Sequence, residues 1–510
     1  MLLFAAALVI GVAYAAWRLL SDLEQSAMPS ALPYLLLGVA LLIALGFEFV
    51  NGFHDTANAV ATVIYTHSLP PPVAVVWSGA WNFAGVLLSS GAVAFTVVAL
   101  LPVELILQVG SGAGFAMVFA LLIAAILWNL GTWWLGLPAS SSHTLIGSII
   151  GVGLANQLMA PDGTATSGVD WGQAAAVGWS LLLSPLAGFF AAALLLLVAK
   201  RTIRAPALYQ APEGAAPPPP WIRGLLVLTC TGVSFAHGSN DGQKGMGLIM
   251  LILIGTVPTT YALNRAVRAD EVTAFAAASA RAEAVLERAA GGATLPAGDP
   301  RPAVDRLVTS RRLAPDSMPA VARLVGEIAA EVAGYRSLAA VPPQLTGNIR
   351  NDMYLVGEGL RWITAPGGAT LTAADRQDLA AYRGFLDRAT KFIPTWVKVA
   401  VAIALGLGTM VGWKRIVVTV GEKIGKTHLS YAQGGAAELV AMAGIGAADS
   451  LGLPVSTTHV LSSGVAGTMA ANGSGLQWRT MRQLLMAWVL TLPASIVIAG
   501  ALFWLFRHLF

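Results

Sequence analysis

The feature that most constrains this chain is a set of long apolar runs without any charged residue. The longest run, residues 105–161, contains no Asp, Glu, Lys or Arg. Further charge-free runs cover residues 73–101, 171–199, 245–264, 450–478 and 483–506. About 20 apolar residues suffice to cross a bilayer as a helix, whereas a membrane barrel would show short alternating segments. The runs therefore predict an all-α, polytopic membrane protein embedded in a lipid bilayer.

Composition argues against nucleic-acid binding, an internal disulfide and a cysteine-based metal site. Only 11% of the residues are charged and the formal net charge is +4, whereas roughly a quarter of the residues are charged in soluble domains. The basic residues flank apolar runs and form no face that could follow a nucleic-acid backbone, so we predict no nucleic-acid partner. A single cysteine, Cys230, excludes an internal disulfide and a cysteine-based metal site. We therefore predict no metal site and no cofactor.

About half of the charge lies in one segment. Residues 265–390 carry 15 of the 30 basic and 14 of the 26 acidic residues, which predicts a hydrophilic helical insert, expected on the cytoplasmic side. Residues 200–223 are rich in Lys and Arg and predict a cytoplasmic linker by their excess of positive charge. The predicted order is an anchoring helix at 1–30, a first membrane repeat at 31–199, the linker at 200–223, a second repeat at 224–264 and 391–510, and the insert at 265–390.

Basic residues after the insert give a conflicting topology. Lys414, Arg415, Lys423 and Lys426 favour the cytoplasmic side by the same rule. A single span after a cytoplasmic insert would place them on the other side. One element near residues 392–430 is therefore expected to depart from simple alternation, and the number of crossings stays open.

Two pairs of motifs indicate an internal duplication. Residues 51–58 align with residues 237–244 at an offset of 186, which places Asp55 on Asp241. Residues 135–143 align with residues 451–459 at an offset of 316, and both contain Leu-Gly-Leu-Pro-x-Ser and a final His. The offsets differ by 130, close to the 126 residues of the insert, so the insert interrupts the second copy. Matched halves are typical of transporters built from inverted repeats.

Acidic residues inside apolar sequence are the first candidate site residues. A carboxylate within a bilayer is costly unless it is paired, hydrated or bound to an ion. Asp55 and Asp241 occupy equivalent positions of the repeat, so we predict that they couple an ion to transport. Glu48 is either a hydrogen-bonding or proton-relay residue or a residue at a loop edge. The alternative for one acid alone is a cap at a helix break.

The glycine of each acidic motif predicts an interrupted helix. Gly52 and Gly238 lie among Asn, Asp and Gln, which are poor residues for a helix interior. A broken helix frees backbone groups at mid-membrane depth, where acids can hold a cation and exposed N–H groups can face an anion.

A hydroxyl cluster follows a proline in each repeat. The clusters are Ser140, Ser141 and Ser142 in the first repeat and Ser456, Thr457 and Thr458 in the second. Each predicts the tip of a re-entrant hairpin, whose hydroxyls and helix N–H groups bind a tetrahedral oxyanion such as phosphate. One such cluster alone would be a helix N-cap, and its repetition favours binding. Lys244, the one lysine in a core motif, contacts phosphate or pairs with Asp241.

Other classes of function stay open at this point. For His143 and His459, hydrogen-bonded helix histidines are favoured over zinc ligands, because zinc needs three or four convergent ligands. An intramembrane hydrolase would need Ser142 or Thr458 to meet an adjacent histidine, yet neighbouring residues on a helix point about 100° apart. A passive anion channel and a carrier of another oxyanion are further alternatives.

At these residues the chain resembles the inorganic phosphate transporter (Pit) family, and especially its bacterial low-affinity permeases. The resemblance rests on residues 51–66, residues 234–247 and the two Pro-x-Ser-[Ser/Thr]-[Ser/Thr]-His tips, and it spans nearly all of both membrane halves. It implies inverted repeats, broken helices, re-entrant hairpins, a homodimer, and symport of phosphate with a cation across the bacterial inner membrane. It also implies that Asp55, Asn58, Asn240 and Asp241 belong to the ion and phosphate site, and that the tip hydroxyls bind phosphate.

Departures from the common family pattern favour protons over sodium. His54 precedes the first acid, and Gln243 and Lys244 follow the second. A fixed ammonium at Lys244 would repel a sodium ion at close range in a medium of low dielectric. We therefore expect proton coupling, with Asp55 or Glu48 as the acid that carries the proton. Sodium coupling, and transport of phosphate as a neutral complex with a divalent metal, are the alternatives.

Overall fold

The computed structural model describes residues 2–24, 31–161, 166–212, 214–295, 297–335 and 337–509, without the side chains of residues 2, 3, 31, 56–58 and 269. The described chain is helical, and the predicted all-α class is confirmed. The helices up to the linker are α1 (Leu2–Glu24), α2 (Ala31–Tyr65), α3 (Pro71–Leu88), α4 (Ala92–Val98), α5 (Val103–Leu107), α6 (Gly112–Trp134), α7 (Ser141–Leu158) and α8 (Trp171–Thr202).

The second half begins with α9 (Pro220–Thr256) and α10 (Pro258–Tyr261). The insert then contributes α11 (Ala269–Ala289), α12 (Arg301–Ser310), α13 (Ser317–Ala333), α14 (Pro343–Thr364) and α15 (Ala373–Thr390). The last helices are α16 (Thr395–Thr409), α17 (Lys414–Glu422), α18 (Tyr431–Ser450), α19 (Thr457–Asn472) and α20 (Trp478–Leu509). The insert helices enclose a hydrophobic core of their own, which runs from Leu263 to Ala389.

Several helices are long and apolar enough to cross a bilayer. By length and hydropathy, 6 helices of the described chain qualify, namely α1, α2, α3, α6, α8 and α20. The number rises to 7 if α15 and α16, which meet at a bend of 68°, are taken as one span.

The predicted helix breaks at Gly52 and Gly238 are wrong. The α2 helix runs unbroken for 35 residues and α9 for 37 residues, and each passes straight through its glycine. A Cβ at Gly52 would lie 2.3 Å from the carbonyl oxygen of Leu405, and one at Gly238 would lie 2.2 Å from that of Asn82. These glycines therefore permit close helix contact, which requires a missing side chain rather than a broken helix.

Close helix contacts join each half of the chain to the other half. Gly408 of α16 meets the backbone of α2, and Gly85 of α3 meets the backbone of α9, each at 2.1 Å from a virtual Cβ to a carbonyl oxygen. In the same way α8 packs along α19 and α20 packs along α7. Both α8 and α20 are 32 residues long and contain an internal proline. Thus α8 of the first half packs on a helix of the second half, and its counterpart α20 packs on a helix of the first half. The inverted orientation of the two halves in a membrane stays a prediction.

The linker and the insert lie at opposite ends of the long helices. The α8 helix begins after Asp170, whose carboxylate pairs with Arg361 of the insert at 2.7 Å, and it ends at Thr202 within the linker. The α9 helix leads from the linker back toward the insert. If α8 crosses the membrane, the linker and the insert lie on opposite faces of it. The sequence-based expectation that both face the cytoplasm then fails.

The basic segment after the insert lies on the linker side. The α17 helix has 9 residues, too few to cross a bilayer. Lys414 and Arg223 line one surface cavity, and Arg415 donates to the carbonyl oxygen of Trp134 at 2.8 Å. The conflict over residues 414–426 thus disappears once the insert and the linker are assigned to different faces.

Candidate functional site

Both hairpin tips meet at Asp55. Its carboxylate, on α2, is 3% exposed, and it accepts a hydrogen bond from Ser141 Oγ at 2.9 Å and another from Thr458 Oγ1. The donors lie in the first turns of α7 and α19, one in each repeat. They are 86 and 403 residues from Asp55 in sequence. The fold thus joins a predicted ion-coupling acid to predicted phosphate-binding hydroxyls.

The first serine of each tip caps the helix behind it. Ser140 Oγ accepts a hydrogen bond from the His143 amide at 3.2 Å, and Ser456 Oγ accepts one from the His459 amide at 3.1 Å. The N-cap alternative therefore describes Ser140 and Ser456. As a consequence, the N-terminal ends of α7 and α19, which carry partial positive charge, lie on either side of Asp55.

The remaining hydroxyls of the tips, those of Ser142 and Thr457, have different contacts. Ser142 Oγ donates to the carbonyl oxygen of Val455 at 2.7 Å and so joins the first tip to the second. Thr457 Oγ1 is buried and has no hydrogen-bond partner among the described residues. The second tip therefore contains a hydroxyl that is available to a ligand.

Lys244 and Asp241 form a buried ion pair beside the tips. Lys244 Nζ lies 2.7 Å from Asp241 Oδ1, and each side chain is 1% exposed. The same Nζ donates to Ser142 Oγ at 2.5 Å. Lys244 thus pairs with the acid and also reaches a tip hydroxyl. A buried pair of this kind retains both charges because each group compensates the other.

His237 is the site residue that the sequence analysis missed. Its Nε2 lies 3.5 Å from Asp241 Oδ2 and 4.0 Å from Asp55 Oδ2. Its Nδ1 lies 2.8 Å from Asn82 Oδ1 on α3, a contact that fixes the ring. The spacing of His237 and Asp241, one helical turn, was visible in the sequence, but their approach to Asp55 on another helix was not.

Asp55, His237 and Asp241 form the one group among the described residues that could surround a metal ion. Their ligand atoms lie within 4.8 Å of one another, and all three residues are buried. Two carboxylates and an imidazole suit divalent transition metals such as Zn²⁺ or Mn²⁺. The prediction of no metal site did not anticipate this group, because no short sequence spacing contains it.

Glu48 lies two helical turns before Asp55 and faces α9. Its Oε2 accepts a hydrogen bond from Asn51 Nδ2 at 3.4 Å, while Oε1 has no hydrogen-bond partner in the described part of the chain. A Cβ at Gly245 would lie 2.3 Å from Oε1, so the glycine leaves room for the carboxyl group. Glu48 thus lies against the residue after Lys244, and no hydrogen bond joins it to the tips among the described residues.

The structure shows the contacts of two further polar residues, Asn240 and Gln243, but not those of the Asn58 side chain. Asn240 donates to the carbonyl oxygen of Leu453 at 3.0 Å and accepts from the amide of Val455 at 3.4 Å, so both ends of its side chain hold the loop before α19. Gln243 donates to Asp449 at 2.6 Å. The side chain of Asn58 lies outside the described residues.

The rings of the two tip histidines are in contact, tilted by 41°. The ring centroids of His143 and His459 are 4.6 Å apart, and His459 also stacks on Trp488 at 4.1 Å. His143 Nδ1 and His459 Nε2 have no hydrogen-bond partner in the described chain. Ser142 donates to a backbone carbonyl and Thr458 to Asp55, so neither hydroxyl donates to the neighbouring histidine as a hydrolase would require.

Sequence comparisons identify the family. The profile of the phosphate transporter family, PHO4, matches residues 51–499. The chain belongs to this family. The low-affinity inorganic phosphate transporter PitA of Escherichia coli strain K12 is 43% identical over 496 residues, which cover 92% of this chain and 96% of PitA. The low-affinity inorganic phosphate transporter PitB of the same strain is 41% identical over 488 residues, with the same coverage of 92% and 96%.

A solved structure shows the same fold. It is described as the sodium-dependent phosphate transporter, and it matches 93% of this chain and 100% of its own chain with a TM-score of 0.51. Its sequence identity of 17% limits the likeness to the fold. As a member of the phosphate transporter family, the protein is a transporter and not an enzyme, which excludes the hydrolase. Its described part has 6 helices long and apolar enough to cross a membrane, as a multi-pass transporter requires.

Proposed function

We propose that this chain imports inorganic phosphate by symport with protons. The observation that carries the proposal is the pair of hydrogen bonds at Asp55, whose carboxylate holds one hydroxyl from each hairpin tip. The similarity to PitA and PitB, both low-affinity inorganic phosphate transporters, supports phosphate as the cargo.

The hydroxyl groups of the two tips suit a tetrahedral anion. Ser141, Ser142 and Thr458 supply hydroxyl donors, and Thr457 adds one that has no partner in the described chain. The N-terminal ends of α7 and α19 add partial positive charge. Lys244 contributes an ammonium that Asp241 already compensates. Neutral donors and dipoles therefore dominate, which allows phosphate to bind and also to leave.

Asp55 competes with phosphate for the same donors. When it is ionised, it accepts the hydroxyls of Ser141 and Thr458 and repels an anion. When it is protonated, the repulsion is removed and the hydroxyls can turn to phosphate. Phosphate and a proton therefore bind together, and the empty carrier returns with Asp55 ionised. The Lys244 ammonium opposes the binding of sodium near Asp241.

A second candidate cargo is phosphate in a neutral complex with a divalent metal. The group Asp55, His237 and Asp241, with its ligand atoms within 4.8 Å, favours this candidate. The metal would then neutralise Asp55 in place of the proton. We expect His237→Gln to lower metal-dependent uptake and to spare uptake of metal-free phosphate if the metal is cargo. Equal loss of both would assign His237 to the proton pathway.

The test of the proton proposal uses Asp55→Asn, because asparagine imitates the neutral acid in shape. Purified Asp55→Asn protein should bind phosphate with a flatter pH profile than the wild type, because only the titration of phosphate itself remains. The reconstituted variant should fail to accumulate phosphate against a gradient. Asp378→Asn, at a partly exposed position of the insert where the carboxylate pairs with Arg281, is the matched control and should transport phosphate as the wild type does. Loss of binding in Asp55→Asn, or accumulation equal to wild type, would contradict the proposal.

A further inference from the structure

A buried arginine without an acidic partner lies where the insert meets the membrane helices. Arg350, on α14, is 5% exposed, and no ion pair joins it to a carboxylate in the described part of the chain. Its Nε has no hydrogen-bond partner there, and its guanidinium donates to Asn351 at 3.0 Å and lies over the ring of Tyr354 at 5.1 Å. A buried charge normally has an ionic partner, because its desolvation is otherwise uncompensated.

Arg350 lines a small cavity that adjoins a larger one. The inner cavity has a volume of about 40 Å³ and is also lined by Gly247 and Leu251 of α9. The outer cavity has a volume of about 460 Å³. The two share a wall of four residues, Phe95, Ala99, Glu358 and Lys391. The cavity lined by Arg350 therefore lies directly beside the outer cavity.

The outer cavity has more basic than acidic residues. Its charged residues are Arg361, Arg383, Arg388, Lys391, Glu358 and Asp387. Arg361 pairs with Asp170 and Glu358, Lys391 pairs with Asp387, and Arg388 pairs with Glu271. Arg383 has no ion pair among the described residues. Two guanidinium groups, those of Arg350 and Arg383, are thus left without a compensating acid.

We propose that the two adjoining cavities together bind the phosphate group of an anion. Arg350, in the inner cavity, is its principal ligand, and Arg383, in the outer cavity, is the second. A guanidinium matches two phosphate oxygens at once, and a buried guanidinium gains most from such an ion. The hydroxyl group of a serine or threonine is not needed for this recognition, which distinguishes the cavity from the hairpin tips.

The cavity lies next to the site between the tips. Gly247 and Leu251 follow Lys244 by three and seven residues on α9, so all three share one helix face. Gly247 is about 4.5 Å from Lys244 along the helix axis. The second phosphate-binding site thereby lies between the insert and α9, on the side of the transport site that is nearer to the insert. Inorganic phosphate and the headgroup of an anionic lipid present the same chemistry to it, and the experiment distinguishes them.

The first arm of the experiment measures the binding of radiolabelled inorganic phosphate to the full-length protein in detergent. We expect two sites in the wild type, one site in Arg350→Gln, one in the double variant Ser141→Ala/Thr458→Val, which lacks a hydroxyl donor in each tip, and none when all three changes are combined. Arg383→Gln should weaken the second site about 10- to 100-fold, as expected for the loss of a hydrogen bond to a charged group. Arg312→Gln, which removes an exposed charge elsewhere on the insert, should bind as wild type.

The second arm measures anionic phospholipid that co-purifies with the protein, by native mass spectrometry. Lipid that is retained by the wild type and lost in Arg350→Gln and Arg383→Gln would identify a headgroup as the occupant and support the proposal. Because Arg383 is partly exposed, its variant is informative even if Arg350→Gln fails to fold. A single phosphate site that depends on the tip hydroxyls alone, with lipid unaffected by either arginine, would overturn this proposal and leave the proposed transport function intact.

Discussion

At the scale of single residues, the two equivalent acids are compensated in different ways. Asp241 is paired with the Lys244 ammonium at 2.7 Å. Asp55 accepts hydrogen bonds from the hydroxyls of Ser141 and Thr458 and lies near the His54 and His237 rings, at 3.4 Å and 4.0 Å. Because its carboxylate joins both tips, we expect Asp55 to be the acid whose protonation is coupled to phosphate binding, and Asp241 to keep Lys244 in place.

We expect Asp241→Asn to abolish phosphate uptake and to lower stability by about 3–5 kcal/mol, because it leaves the Lys244 charge buried without its partner. The double variant Asp241→Asn/Lys244→Gln removes both charges, so it should recover most of the thermal stability but no uptake. Thermal unfolding and reconstituted uptake check the two effects separately. An Asp241→Asn protein that transports phosphate at a near-normal rate would show that the pair has no role in transport.

The sequence predicted these residues but not their arrangement. The duplication singled out Asp55, Asp241 and the hydroxyl clusters because they recur at fixed offsets. It could not show that Ser140 and Ser456 act as helix caps while their neighbours reach Asp55, since capping depends on where each helix begins. His237 was missed because its partner Asp55 lies on a different helix.

At the scale of elements, the motifs around Asp55 and Asp241 show why helix propensity alone predicted helix breaks that the structure does not have. Glycine and asparagine disfavour an isolated helix interior by up to about 1 kcal/mol per residue, an amount that tertiary packing readily exceeds. Gly52 and Gly238 allow α2 and α9 to contact neighbouring backbones directly. That contact holds the acids at the meeting point of the two hairpins.

We expect Gly52→Ala to destabilise the protein by about 1–3 kcal/mol or more, because the added methyl group would meet backbone atoms that cannot turn aside. Gly46→Ala on the same helix is the matched control, since a Cβ there has no neighbour within 4 Å. Thermal unfolding of the two variants in one detergent measures the difference. Equal stability would mean that α2 and α16 are less closely packed than the structure shows.

At the scale of the whole molecule, the charge pattern and the fold together suggest a topology. The α8 helix connects Asp170, which pairs with the insert, to the basic linker. The rule of positive charge on the inside applies to short loops such as the linker and not to long insertions. The linker and α17 are thus expected in the cytoplasm, and the insert on the opposite face. The homodimer implied by the resemblance stays a prediction.

Single cysteines test this topology in a Cys230→Ala background. Ala215 in the linker and Ala339 in the insert are both exposed. In intact cells, a membrane-impermeant maleimide should label Ala339→Cys, and it should label Ala215→Cys only after the cells are opened. Labelling of both positions from one side would contradict the opposite placement of linker and insert.

The most direct test of the account is phosphate uptake into proteoliposomes with the proton and sodium gradients imposed separately. Because the Asp55 carboxylate and phosphate compete for the hydroxyls of Ser141 and Thr458, an acidic exterior should drive accumulation at equal sodium on both sides. A sodium gradient at equal pH should drive none. Accumulation driven by sodium alone, with no response to the pH gradient, would contradict the central role given to protonation of Asp55.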